Sequence, residues 1–86
     1  MNVLLFGAGD AGERVYQIID PKYNVVSFVD NDPQKHETTV CGKPVIPPTQ
    51  ISKYDYDLII ISNVHGDAVR NQLIHAFNVP ESKIKD

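Results

Sequence analysis

The sequence predicts an α/β fold in which a short, mainly parallel sheet lies between two layers of helices. Two aliphatic runs, Val3 to Phe6 and Leu58 to Ile61, have the composition of strands that are buried on both faces. A glycine cluster follows the first run, and a helical pattern of apolar residues comes after each of them. Strands that alternate with helices in this way predict a Rossmann-like three-layer sandwich with right-handed crossovers.

The first strand and the first helix are predicted at the N-terminus. The strand covers Met1 to Phe6, and the helix runs from Ala11 to Asp20, where Pro21 stops it. The apolar stripe that we expect to face the sheet comprises Ala11, Val15, Ile18 and Ile19.

The second strand is predicted from Tyr23 to Val29, because valine and phenylalanine favour an extended backbone. It ends at a cluster of turn-forming residues, Asp30-Asn31-Asp32-Pro33. The proline-rich segment that follows has room only for short elements. These are a brief strand at Val45-Ile46 and a short helix from Pro48 to Lys53.

The last strand and helix are predicted after this segment. The strand covers Asp57 to Ser62, and Asp67 suits the N-cap or first turn of the helix that follows. The apolar positions of this helix are Val69, Leu73, Ile74, Ala76 and Phe77. Because Ser82 to Asp86 form only the approach to another strand, we expect the sheet to be truncated after the fourth strand.

Length and charge limit the classes of function. With 86 residues, of which 42% are hydrophobic and 22% charged, the chain is expected to fold as one domain over residues 1–86, within a larger protein or assembly. A net charge of −3 argues against binding to nucleic acid or to an anionic membrane. A lone cysteine, Cys41, indicates a reducing cytoplasm and is expected to be a buried thiol.

The glycine cluster carries the main functional prediction. Gly7-Ala8-Gly9-Asp10-Ala11-Gly12 has the pattern G-x-G-x-x-G and lies between a predicted strand and a predicted helix. In such a turn Gly7 permits the tight bend, Gly9 lets a diphosphate approach the backbone, and Gly12 allows close packing of the helix. The N–H groups of the helix N-terminus favour an anion. The alternative is a purely structural glycine turn.

Acidic residues at the end of the second strand extend this prediction. Asp30 follows Gly12 by eighteen residues, near the offset of about 20 at which an acidic residue binds the ribose hydroxyls of an adenosine. Since no arginine follows nearby, NAD is favoured over NADP. Asn31 and Asp32 complete the candidate site, although Asp30 is equally interpreted as a turn-forming residue.

Polar residues after the last strand lie at the same predicted edge of the sheet. Ser62 and Asn63 have side chains that hydrogen-bond a ribose or a sugar, and His65 is a possible acid or base. A turn of solvated polar residues is the alternative.

No catalytic residue and no metal site is predicted. Tyr-x-x-x-Lys pairs are absent, Cys41 has no recognisable partner base, and the three histidines lack metal-ligand spacing. Phe28, Tyr54 and Tyr56 are interpreted as core or sheet-edge aromatic residues.

Four segments resemble the Rossmann-like N-terminal domain of bacterial polysaccharide-biosynthesis proteins. They are Val3 to Gly12, Val25 to Pro33, Gly42 to Ile46 and Tyr56 to Ser62. In that family the domain precedes a capsule-type nucleotide-sugar epimerase or dehydratase, or the β-helix of a sugar acyltransferase. The resemblance implies that the glycine turn, residues 7–12, and the acidic turn, residues 30–33, hold NAD or a nucleotide-sugar. A fused catalytic domain then performs the chemistry.

The sequence departs from that family at Glu37, where a glycine is common. The expected function is therefore a nucleotide-binding module, with a regulatory or assembly domain that has a vestigial site as the alternative. A homo-oligomer is a further expectation, because a partner edge would complete the truncated sheet.

Overall fold

The computed structural model describes residues 1–62 and 65–86, which form one sheet with a helix on each face. Its strands are β1 Asn2–Phe6, β2 Asn24–Val29, β3 Thr39–Val40, β4 Lys43–Ile46, β5 Leu58–Ile61 and β6 Ile84–Lys85. The helices are α1 Asp10–Ile18 and α2 Gly66–Phe77, and short 3-10 helices cover Pro33–Lys35, Pro48–Lys53 and Glu81–Lys83.

The sheet has the strand order β3-β4-β2-β1-β5-β6. β1 lies at its centre and pairs in parallel with β2 and β5, so that Leu5 is opposite Phe28 on one side and Ile60 on the other. β4 and β6 extend the parallel sheet, and β3 pairs antiparallel with β4. The carboxyl ends of β1, β2 and β5 therefore meet at one edge of the sheet.

Two apolar cores lie on opposite faces of the sheet, because successive strand residues point to opposite sides. On one face, Leu4 and Phe6 pack with Leu73 of α2. On the other, Val3 and Leu5 pack with α1 through residues such as Val15. The predicted three-layer sandwich with a mainly parallel sheet is confirmed.

The sheet continues past the fourth parallel strand, where the sequence predicted a truncation. Ile84 is buried and pairs with Ile59 of β5, so one apolar residue is enough to add the strand β6. The antiparallel strand β3 was also missed, because its two residues carry no pattern of their own. The short helix predicted from Pro48 to Lys53 is present with those bounds as a 3-10 helix.

The predicted stripe of α1 is wrong at two positions. Ala11 is exposed and Ile18 is 81% exposed, whereas Tyr16 packs on the sheet with Val15 and Ile19. Positions 12, 15, 16 and 19 share one face of a helix with 3.6 residues per turn, and positions 11 and 18 lie outside it.

The prediction that Cys41 is buried is also wrong. Cys41 is exposed and occupies the turn between β3 and β4 with φ 52°, next to Gly42 with φ 77°. A tight turn at the sheet edge leaves its side chain in solvent. The aromatic residues are as predicted: Phe28 is fully buried, and Tyr54 and Tyr56 pack against the core.

Within the part of the chain that the structure describes, neither helix combines the length and the apolar character needed to cross a membrane.

Gly12→Ala is expected to lower the free energy of unfolding by about 3 kcal/mol or more. A β-carbon at Gly12 would overlap the carbonyl oxygen of Gly7, so α1 or the glycine turn would have to shift. Gly9→Ala is the control, since its β-carbon meets only the Lys35 Nζ atom at 3.4 Å and is expected to cost less than about 1 kcal/mol. Urea unfolding measures both. Equal losses in the two variants would contradict this packing argument.

Candidate functional site

The glycine turn is fixed between β1 and β2 by backbone hydrogen bonds. The Gly7 N–H donates to the carbonyl oxygen of Val29 at 2.7 Å, and Gly7 has φ 119°, which residues with a β-carbon rarely adopt. Ser62 donates to the carbonyl oxygen of Phe6 from both its N–H and its hydroxyl, at 3.0 and 2.9 Å. The turn is therefore held from the strands on both sides of β1.

The N-terminus of α1 opens directly after this turn. Gly9 occupies the N-cap position without a side-chain cap, and the first-turn N–H groups of a helix have no partner within the helix. Asp10 and Ala11, the first two residues of α1, are exposed. These N–H groups and the helix dipole suit an anion, while the Asp10 carboxylate adds a negative charge nearby.

Asp30 joins the glycine turn to the acidic turn. One carboxylate oxygen accepts the N–H of Ala8 at 2.9 Å, and the other accepts the N–H of Asp32 at 2.9 Å. The side chain is 18% exposed. Since a carboxylate offers about four lone pairs, two acceptor positions remain for hydroxyl groups. Asp30 thus stabilises the acidic turn and still has acceptor positions with which it could bind ribose hydroxyls.

Lys35 brings a cation to the glycine turn. This residue was not predicted from the sequence as part of the site. Its Nζ atom lies 3.9 Å from an Asp30 carboxylate oxygen and is the nearest atom that a β-carbon on Gly9 would meet. The prediction of NAD over NADP considers only an arginine after Asp30, whereas the cation at this place is a lysine five residues later. The site therefore has a positive group suited to a phosphate, which weakens the argument for NAD over NADP.

The acidic turn is tied both to the segment that carries Lys35 and to α2. Asp32 accepts the N–H of Gln34 at 3.0 Å and thereby caps the 3-10 helix Pro33–Lys35. The amides of Asn31 and Gln72 exchange two hydrogen bonds, each 2.9 Å long. Gln72 is a second site residue that the sequence did not indicate.

A cavity of about 350 Å³ lies between the acidic turn and α2. Its apolar wall consists of Phe6, Ala68 and Val69, and its polar wall is formed by Asp30, Asn31, Asp32, His65 and Gln72. This volume falls within the range of about 300 to 1,000 Å³ that is typical of small-molecule sites. The cavity therefore provides space for a ligand at the carboxyl edge of β1 and β2.

The three polar residues predicted as ligand contacts after β5 are Ser62, Asn63 and His65, and Ser62 and His65 do not share one environment. The hydroxyl proton of Ser62 is engaged with Phe6, so Ser62 meets a ligand only as an acceptor. Asn63 lies outside the described residues. His65 is exposed, lines the cavity and precedes α2, whose first turn contains Asp67 as predicted.

A larger cavity, of about 520 Å³, lies on the other side of the acidic turn, away from the glycine turn. His36 lines it and makes a 2.6 Å hydrogen bond through Nε2 to the carbonyl oxygen of Asp30. Glu37 also lines it and has φ 62°, a conformation that favours glycine. The departure at Glu37 therefore falls at a position where the backbone suits the glycine common in the resembling family.

Among the described residues, no three His, Cys, Asp or Glu side chains converge in a way that would hold a metal ion.

A family model described as "C2185-like, N-terminal" matches residues 1–85. The chain belongs to this family. None of the curated proteins compared with the sequence matches it. The family match covers the glycine turn, the acidic turn and α2.

Solved structures with this fold belong to proteins of different function. UDP-D-quinovosamine 4-dehydrogenase from Vibrio fischeri has a TM-score of 0.75 and 21% sequence identity, over 96% of this chain and 72% of that chain. RSP, a Rex-family repressor, has a TM-score of 0.71 and 16% identity, over 99% of this chain and 51% of its own. RSP in complex with β-NAD⁺ and operator DNA has a TM-score of 0.69 and 15% identity, over 98% and 48% of the two chains. At these identities the likeness shows the Rossmann-like fold.

Asp30→Asn is expected to lower the free energy of unfolding of this family member by about 1 to 3 kcal/mol, because the new NH₂ group faces a backbone N–H. Asp20→Asn is a matched control. Among the described residues, the Asp20 carboxylate accepts the Lys22 N–H alone, at 3.0 Å in an exposed turn, and an amide oxygen replaces it there at a cost below about 0.5 kcal/mol. Urea unfolding gives both values, and hydrogen exchange should be faster at Ala8 and Asp32 in the Asp30 variant. Equal stability of the two variants would exclude the joining role of Asp30.

Proposed function

We propose that this domain binds a nucleotide, either NAD or a nucleotide-sugar, across the carboxyl edge of β1 and β2. The observation that carries the proposal is the bond from the Ala8 N–H to the Asp30 carboxylate. It joins the glycine turn to the acidic turn, and residues 30–32 of the acidic turn line the 350 Å³ cavity.

Each part of a nucleotide has a matching group in this site. The diphosphate is proposed to lie on the backbone of residues 7–12 at the N-terminus of α1, with Lys35 beside it. The ribose hydroxyls are proposed to donate to the free lone pairs of Asp30, beside Asp32. Ser62 is a proposed further contact, as an acceptor only, because its hydroxyl proton is engaged with Phe6. Asn63 remains a proposed contact.

The wider role that we propose is that of a non-catalytic module in a bacterial, cytoplasmic protein of nucleotide-sugar or polysaccharide biosynthesis. One structural neighbour is named for action on a UDP-sugar, and another was crystallised with β-NAD⁺. In this role a fused catalytic domain or a second copy of the chain supplies the residues for chemistry.

A regulatory domain is the second candidate, since RSP is a Rex-family repressor whose structures include complexes with β-NADH and with operator DNA. In this role nucleotide binding would signal to a partner. The absence of nucleic-acid binding by this chain stays a prediction from its net charge of −3.

Titration of the domain with NAD, NADP, UDP-N-acetylglucosamine and coenzyme A is expected to shift the amide NMR signals of residues 7–12 and 30–32. The physical reason is that these N–H groups lie where the phosphates and ribose are proposed to bind. The ligand that produces the shifts identifies the class of nucleotide, and a stronger response to NADP would indicate that Lys35 binds the 2′-phosphate. If none of the four ligands shifts these signals, the nucleotide-binding proposal is wrong and an assembly role is favoured.

Gly9→Asp is expected to weaken nucleotide binding about tenfold or more while the domain stays folded, because a second carboxylate would face the phosphates. Gln17→Glu adds the same charge on the exposed face of α1 and should leave the affinity unchanged. Isothermal titration calorimetry measures the affinities, and thermal melting checks the fold. An unchanged affinity of the Gly9 variant would show that the phosphates do not lie on this turn.

A further inference from the structure

The paired amides of Asn31 and Gln72 lie across the rim of the 350 Å³ cavity. Asn31 Nδ2 donates to Gln72 Oε1, and Gln72 Nε2 donates to Asn31 Oδ1, both at 2.9 Å. Each amide thus presents a donor and an acceptor side by side to the other. The pairing edge of a nucleobase presents the same combination.

The position of Gln72 on α2 places its amide at the end of the apolar wall. Gln72 follows Ala68 by four residues and Val69 by three, so the three residues share one face of the helix. Ala68 and Val69 line the cavity together with Phe6. A flat ring lying on this wall would have its edge directed at the amide of Gln72.

We propose that Gln72 is the residue that recognises the base of the bound nucleotide, which is an adenine. The inference rests on the proposed function, since ribose bound at Asp30 directs the base into the cavity. In the complex the base replaces Asn31 as the partner of Gln72, and the exposed Asn31 amide returns to water. Two hydrogen bonds are exchanged for two others, so opening this amide pair carries little net cost.

The amide of Gln72 matches the pairing edge of adenine in its donors and acceptors. The amino group of adenine donates to Oε1, and a ring nitrogen accepts from Nε2. A glutamate at this position offers only acceptors, so it keeps one of these bonds and opposes the other. Guanine offers an acceptor beside a donor, which also suits the amide, and two adjacent donors, which suit a carboxylate.

The test compares NAD with nicotinamide guanine dinucleotide, which differs from NAD only in this base. Calorimetry on the wild-type domain gives the reference ratio of the two affinities. Gln72→Glu should weaken NAD binding about tenfold without weakening the guanine analogue, so that the ratio of the two affinities shifts about tenfold toward the guanine analogue. Gln17→Glu, with the same chemical change on α1, should keep the wild-type ratio.

Two outcomes overturn the proposal in different ways. If the wild-type domain binds NAD and Gln72→Glu keeps the wild-type ratio, base recognition by Gln72 is wrong and nucleotide binding stands. If the wild-type domain binds neither dinucleotide, the adenine inference is wrong, and the titration with UDP-N-acetylglucosamine and coenzyme A decides whether the proposed function stands without it.

A second pair of variants distinguishes base recognition by Gln72 from a purely structural role, in which the Asn31–Gln72 pair only attaches α2 to the acidic turn. Asn31→Ala should raise the affinity for NAD a few-fold, because Gln72 no longer has to be released, whereas Gln72→Ala should lower it about tenfold. If the amide pair only fastened α2 to the acidic turn, both variants would weaken both dinucleotides to the same extent. That result would overturn the proposal.

Discussion

The carboxylate of Asp30 connects two loops that have no regular structure to hold them. The turn after β1 and the turn after β2 each present a backbone N–H that needs an acceptor, and Asp30 accepts both. Its own backbone N–H donates to Ile46 of β4, and its carbonyl oxygen accepts a bond from His36. The shape of the carboxyl edge from β1 to β4 therefore depends on this one residue.

The same arrangement prepares the edge for a ligand. Because the glycine and acidic turns are already joined, binding a nucleotide would not require these loops to be ordered first, and that lowers the cost of association. The carboxylates of Asp10, Asp30 and Asp32 outnumber the positive groups of the site, which are Lys35 near Asp30 and the N-terminus of α1. An incoming phosphate would meet both positive groups at once.

The sequence predicted those features that depend on local patterns. The aliphatic runs predicted β1 and β5, and the proline at position 48 predicted the helix Pro48–Lys53. The exposure of Cys41 and the strand β3 depend on a two-residue hairpin without periodicity. Lys35 lies near Gly9, 26 residues away in the sequence, and Gln72 bonds Asn31, 41 residues away. Contacts over such separations are not predicted by any local pattern.

The two helices are attached to the sheet unequally. α2 buries Val69 and Leu73, whereas Gly12 is the only buried residue of α1, and Ile18 extends into solvent. Few buried apolar contacts characterise the segments of a protein that open first by local unfolding. The helix whose N-terminus faces the proposed phosphates is thus the less firmly attached one. A ligand bound there would stabilise the closed form of α1, so occupancy of the site would be coupled to the order of this helix.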